Sequence, residues 1–108
     1  MDTLLIFTNL PDRESALALA QALVDARVAA CVNVLGGCTS IYRWQGAIET
    51  AAEVPVLIKT RAALYAAVEQ AIRARHPYDV PEIVAVPLSH GLPAYLEWVA
   101  AETLPATS

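Results

Sequence analysis

Glu53-Val54-Pro55-Val56-Leu57-Ile58-Lys59-Thr60 is the stretch whose reading decides the fold. Val54, Val56 and Ile58 alternate against Leu57 and Lys59, the period-two pattern of a strand. The run closes on a threonine placed to cap a helix, in which Leu64, Val68, Ala71, Ile72 and Arg75 follow helical spacing. Leu4-Leu5-Ile6-Phe7-Thr8 repeats the design near the N-terminus: a short apolar strand closing on Thr8, with a helix to follow. Pro55 is awkward in such a strand because it has no N–H, so its amide position should face away from a ladder partner or sit at a bulge.

Working outward, Asn9-Leu10-Pro11-Asp12 reads as a turn with Asp12 as N-cap, opening a helix from Arg13 to about Arg27. Ala16, Ala20, Leu23 and Arg27 fall on one stripe of it, and Leu17, Ala20 and Val24 on a neighbouring one. Ala29 to Val34 restarts as a strand, Gly36-Gly37 kinks or bulges it, and Thr39 to Trp44 resumes the extended pattern with Tyr42 and Trp44 on one face. Gln45-Gly46 signals a hairpin that returns into Glu53–Thr60. Ile83 to Leu88 is a further strand. A last helix opens after Gly91-Leu92-Pro93 and carries Tyr95, Trp98, Val99 and Glu102 on one side.

The order β-α-β, β-α-β, α is one unit used twice. It predicts an α+β ferredoxin-like split βαβ sandwich, βαββαβ plus a C-terminal helix. Residues 1–103 are expected to form a single domain, with 104–108 as a frayed tail. The long hairpin would leave exposed edges unless a neighbouring subunit pairs with them.

Composition points the same way. The chain has 108 residues, 56% of them hydrophobic, with a mean hydropathy of +0.45. A small domain cannot hide that much apolar surface in its own core, and no run approaches the roughly 20 residues of a membrane span. Burial against further copies is therefore expected, and no membrane association. A net charge of −4 and a pI near 4.9, without any basic cluster, argue against a nucleic-acid partner. The first residues carry no basic n-region or small-residue cleavage site, so a cytoplasmic location is expected. There Cys31 and Cys38 should remain thiols. Lys59 stands alone among six arginines.

His76-Pro77-Tyr78-Asp79-Val80-Pro81-Glu82-Ile83 gathers an imidazole, a phenol and two carboxylates on stiffened backbone. Each proline pushes its predecessor toward extended geometry, so the helix before it must stop near Arg75. Such a segment is either a rigid helix-to-strand connector or a preorganised site, and its prolines rather than a metal should order it.

Several blocks in register resemble the divalent-cation-tolerance (CutA) family: Ala29-Ala30-Cys31-Val32-Asn33, Ser40-Ile41-Tyr42-Arg43-Trp44-Gln45-Gly46, Glu53 with Ile58-Lys59-Thr60, His76 through Ile83, and Tyr95-Leu96-Glu97-Trp98. They span nearly the whole chain. The resemblance implies a ferredoxin-like subunit in a tight homotrimer, with the long hairpin reaching onto neighbours. It also implies likeness to the nitrogen-regulatory signal-transduction trimers, which bind small ligands between subunits. Copper or another divalent metal ion is the implied ligand, and no catalytic reaction comes with it. Pro55 departs from the pattern.

Within that frame, Cys31 and His76 offer a soft thiolate and a borderline nitrogen for copper, and Glu53, or alternatively Glu82, completes a candidate metal set. Cys31 also sits in an apolar run, where free cysteine serves as a small core residue. An alternative ligand pocket uses Lys59, Tyr78 and Glu82, with positive charge for a small anion. Tyr42 and Trp44 are candidates for the trimer interface. A thiol nucleophile at Cys31 with His76 as base lacks an oxyanion turn or a pKa-lowering neighbour, so no enzyme is expected. A structural assembly module with no ligand is the remaining alternative.

Overall fold

The computed structural model describes residues 2–105. Its elements are β1 (Thr3–Leu10), α1 (Arg13–Asp25), β2 (Cys31–Val34), β3 (Cys38–Trp44), β4 (Ala47–Arg61), a 3-10 turn (Ala62–Leu64), α2 (Tyr65–Arg75), β5 (Ile83–Pro87) and α3 (Pro93–Ala101). The antiparallel sheet runs β2-β4-β1-β5, with β3 also paired to β4. This is the ferredoxin-like split βαβ sandwich read from the order of elements.

Alternation along β1 and β4 separates two faces. Ile6 and Leu10 on β1, with Val54, Val56 and Ile58 on β4, turn to α1 and α2, which contribute Ala16, Leu19, Leu23, Val68 and Ile72 to one core. The α1 stripe with Leu17 and Val24 instead looks outward, since those side chains are 47% and 40% exposed. On the opposite face α3 covers part of the sheet: Arg61 Nε donates to Thr103 Oγ1 at 2.9 Å, and Leu96 and Val99 are buried. The rest of that face, including Val84 and Val86 of the edge strand β5, is left open.

Several boundaries differ from the expectations, each for a local reason. Asp12 does cap α1, its carboxylate accepting from the Ser15 N–H at 2.7 Å, but Asn9 and Leu10 are the last residues of β1. α1 stops at Asp25, and Arg27 takes a φ of +60° as the chain turns out of the helix. Thr60 is no cap. It lies inside β4, fully buried, and donates to the Val28 carbonyl at 2.6 Å, tying β4 to the loop before β2. α2 opens through the 3-10 turn without a side-chain cap. It ends at Arg75, and His76 is extended (φ −83°, ψ 133°), as Pro77 requires.

β4 extends well beyond Glu53. Its residues Ala47–Glu53 pair with β3 from Trp44 back to Cys38, forming a two-stranded arm along a 44 Å long axis. The arm turns at Gln45 (φ +50°) and Gly46 (φ +84°), the left-handed pair of a tight hairpin. Gly36 and Gly37 separate β2 from β3, and there Pro55 is accommodated. Its carbonyl accepts from the Leu35 N–H at 3.0 Å, so its nitrogen also faces that interruption and not β1. At the start of the expected tail, the Leu104 N–H donates to the Arg27 carbonyl at 2.9 Å. Of the expected tail, residues 106–108 lie outside the described residues.

Candidate functional site

The arm and the His76 segment enclose a cleft of about 620 Å³. Its floor follows from the β3–β4 register. The cross-strand pairs Cys38–Glu53, Ser40–Ala51, Tyr42–Glu49 and Trp44–Ala47 share one face by alternation. Four of these residues, Tyr42, Trp44, Glu49 and Glu53, bring aromatic rings and carboxylates into the lining. The opposite wall is Tyr78, Asp79, Val80 and Glu82, and Asn9 closes the inner end.

His76 sets that wall. Pro55 turns its carbonyl toward Leu35, so its register partner Asn9 points its own backbone groups to the other side, toward β5. The β1–β5 ladder reaches only Thr8–Ile83, which leaves the Asn9 carbonyl without a strand partner. The buried His76 ring fills the gap, its Nε2 lying 2.6 Å from that carbonyl. Its Nδ1 accepts the Tyr78 N–H at 3.2 Å, so Nε2 carries the proton and donates. The imidazole also packs on the Tyr78 ring, with centroids 4.6 Å apart. Both ring nitrogens are thus engaged in holding the Tyr78 segment.

The cleft is acidic. Glu49, Glu53, Asp79 and Glu82 line it, and its lining contains no lysine, arginine or histidine. Glu53 is only 9% exposed, and Asn9 Nδ2 donates to Glu82 Oε1 at 3.1 Å. Burial first, then the neighbouring Glu53 charge, raises the Tyr78 hydroxyl above the ordinary phenol range, so it stays protonated beside that carboxylate.

The residues expected to form a metal set are not brought together within one chain. Cys31 pairs with Lys59 on β4, six residues from Glu53, about 20 Å at strand rise. Cys31 instead neighbours Tyr95 of α3, whose hydroxyl is raised by burial and then by Cys31. His76 has no free nitrogen to offer. Among the described residues no three histidine, cysteine, aspartate or glutamate side chains converge as a metal cage. The second expected set divides as well: Tyr78 and Glu82 line the cleft, whereas Lys59 bonds to Asn33 Oδ1 near Cys31. Register is the physical reason in both cases, because Lys59 lies near the C-terminal end of β4 beside β2, whereas Glu53 lies six residues back, where the arm begins. Cys31 and Cys38, both free, are separated by the same six residues of β4, too far for a disulfide.

Tyr42 and Trp44 stand on the cleft floor, 41% and 42% exposed in the single chain. Asn9, Glu49 and Asp79 were absent from both expected sets. Glu49 was accessible from the sequence, being in period-two phase with Glu53 and opposite Tyr42 across the hairpin. Asn9 carried no local signal, since only the tertiary fold buries it.

Comparison with known proteins agrees over nearly all of the chain. Residues 4–102 match the family of the CutA1 divalent ion tolerance protein. A divalent-cation tolerance protein CutA of Thermus thermophilus is 43% identical over 98 residues, covering 91% of this chain and 95% of its own length. The crystal structure of CutA from Xylella fastidiosa superposes with a TM-score of 0.91 at 48% identity, covering 94% of this chain and 98% of that one. That of CutA1 from Oryza sativa gives 0.93 at 36% identity, covering 96% and 95%. Longer relatives also occur: the chain spans 57% of a chloroplastic CutA 1 of Oryza sativa and 52% of a CutA protein of Mus musculus.

Proposed function

The chain belongs to the CutA1 divalent ion tolerance family, and on that premise we propose that it acts by binding cations in the acidic cleft, as an assembly of three copies. One observation carries the proposal: four carboxylates line the cleft and no cationic side chain joins them. A small anion at Lys59, Tyr78 and Glu82 loses its support, because Lys59 lies elsewhere and the cleft repels negative charge. Copper or another divalent ion suits carboxylate oxygens. Entering as cargo, it would keep part of its water shell, since among the described residues no three histidine, cysteine, aspartate or glutamate side chains converge.

The trimer is supported by the apolar surface left open on one chain. Ile41 and Ile48 on the arm are 71% and 68% exposed, and Val84 and Val86 on the free-edged β5 about half exposed. Exposed apolar side chains on the arm and on an open strand edge call for partners. The reading is of a binding protein and not a catalyst. The thiol of Cys31 stands far from His76, and both His76 nitrogens are committed to structure. A cytoplasmic location remains part of the proposal, supported by the unpaired thiols.

Calorimetric titration with Cu(II) tests it. Glu53→Gln should lower affinity about tenfold or more, while Cys31→Ser should leave it unchanged. Loss on Cys31→Ser with Glu53→Gln unaffected would move the site to the Cys31 end of the sheet. No Cu(II) binding in any form would favour an assembly module without a metal ligand.

A further inference from the structure

Asn9 is the most informative residue of the cleft. Its side chain is 93% buried by its 7% exposure, and Nδ2 is fixed by donating to Glu82. An ionised carboxylate only accepts, so the amide cannot turn round, and Oδ1 is left buried without a hydrogen-bond partner. A buried unpaired acceptor is costly unless something supplies a donor. Beside it stand the carboxylates of Glu53, nine-tenths buried, and Glu82. The inner end of the cleft therefore gathers acceptor oxygens from Asn9, Glu53 and Glu82, with the Tyr78 hydroxyl beside Glu53 and no cationic side chain, and so suits the N–H groups of a primary ammonium.

Outward from that point the floor changes in a regular way. After Glu53 comes the small pair Ser40–Ala51, then Tyr42 opposite Glu49, then Trp44 at the tip. Glu49 and Glu53 are four residues apart on one face of β4, about 13 Å at strand rise. Between the two carboxylates the small pair leaves room, and the rings of Tyr42 and Tyr78 offer faces to methylenes and to positive charge. Among the described residues no three histidine, cysteine or carboxylate side chains converge as a tightly held metal ion requires, whereas an ammonium can share its hydrogen bonds between two carboxylates and a neutral amide oxygen. A flexible chain with a cation at each end needs donors spread along a line.

We propose that the cleft binds a linear aliphatic polyamine, one terminal ammonium held by Asn9, Glu53 and Glu82 and the other reaching Glu49 across the aromatic floor. This rests on the reading of the cleft as a cation site and names its ligand class. The backbone separation of Glu49 and Glu53 along β4 favours a triamine of spermidine's length over a diamine as short as putrescine.

The test is calorimetry on the full chain with spermidine, putrescine and Cu(II), at about 0.15 M salt so that diffuse attraction to an acidic protein is screened. Spermidine should bind at one site per chain, with affinity lowered about tenfold or more by Glu53→Gln. Glu49→Gln, at an exposed position, should weaken spermidine about fivefold and leave putrescine unchanged. That variant decides the matter even if Glu53→Gln folds poorly: equal spermidine affinity in Glu49→Gln and wild type would overturn the proposal. Spermidine binding indifferent to Glu53→Gln would overturn it too, as surface attraction only. Cu(II) binding lost in Glu53→Gln, with no spermidine binding, would overturn the polyamine and leave the metal reading standing. Spermidine binding without Cu(II) binding would do the reverse.

Discussion

Replacing His76 by phenylalanine should show that the imidazole is a structural clasp. The ring shape and its packing on Tyr78 survive, while two hydrogen bonds disappear: Nε2 to the Asn9 carbonyl at 2.6 Å, and the Tyr78 N–H to Nδ1 at 3.2 Å. The two losses are unequal. The Asn9 carbonyl is buried where the β5 ladder has ended, so it is left unsatisfied, at about 1–3 kcal/mol. Tyr78 is partly exposed, and its N–H can turn to water, costing about 0.5–1 kcal/mol. The total, about 1.5–4 kcal/mol, is a large fraction of an ordinary domain's stability. Urea unfolding at fixed protein concentration would measure it, the fixed concentration being needed because assembly shifts apparent stability. His76→Gln should recover part of the loss, since its amide can still donate to Asn9 but cannot reproduce the Nδ1 acceptor. A His76→Phe protein within about 0.5 kcal/mol of wild type would refute the clasp and free His76 for a ligand role.

Three further outcomes can be checked. Trp44→Ala should weaken assembly, by about 3–5 kcal/mol per site if the ring is buried between subunits, and sedimentation would show dissociation; an unchanged oligomer would assign Trp44 to the cleft alone. Thr60→Val should cost about 1–2 kcal/mol through the lost bond to Val28, with helix content by circular dichroism unchanged, because Thr60 does not cap α2. Asp12 is held below the ordinary aspartate range, chiefly by the Ser15 N–H, then by the Ser15 hydroxyl. A depressed carboxyl contributes stability that is present above its unfolded pKa and lost as pH falls through the folded value. Asp12→Asn should therefore flatten that acid limb of α1 stability, followed by NMR, while keeping the cap at neutral pH.

The sequence by itself determined the fold class and the family. Hydrophobic period, Asp12, Pro77, Pro93 and Gln45-Gly46 are local signals, and the elements they mark fall in an order that admits few topologies. It also marked the His76 segment as stiff and polar, and the structure shows that stiffness holding one wall of a cleft. Where local signals misled, a long-range contact prevailed. Thr60 looks like a cap, but β4 continues past it and buries its hydroxyl on Val28. Lys59, Cys31, His76 and Glu53 are chemically attractive together, yet strand register sends Lys59 and Cys31 to the C-terminal end of β4 and leaves Glu53 six residues away at the middle of that strand. Only the tertiary structure decided that Asn9 is buried with an unpaired oxygen and that Glu49 and Tyr78 line one cleft. Such facts depend on which residues, distant in sequence, share one side of a sheet, and periodicity fixes the side but not the neighbour.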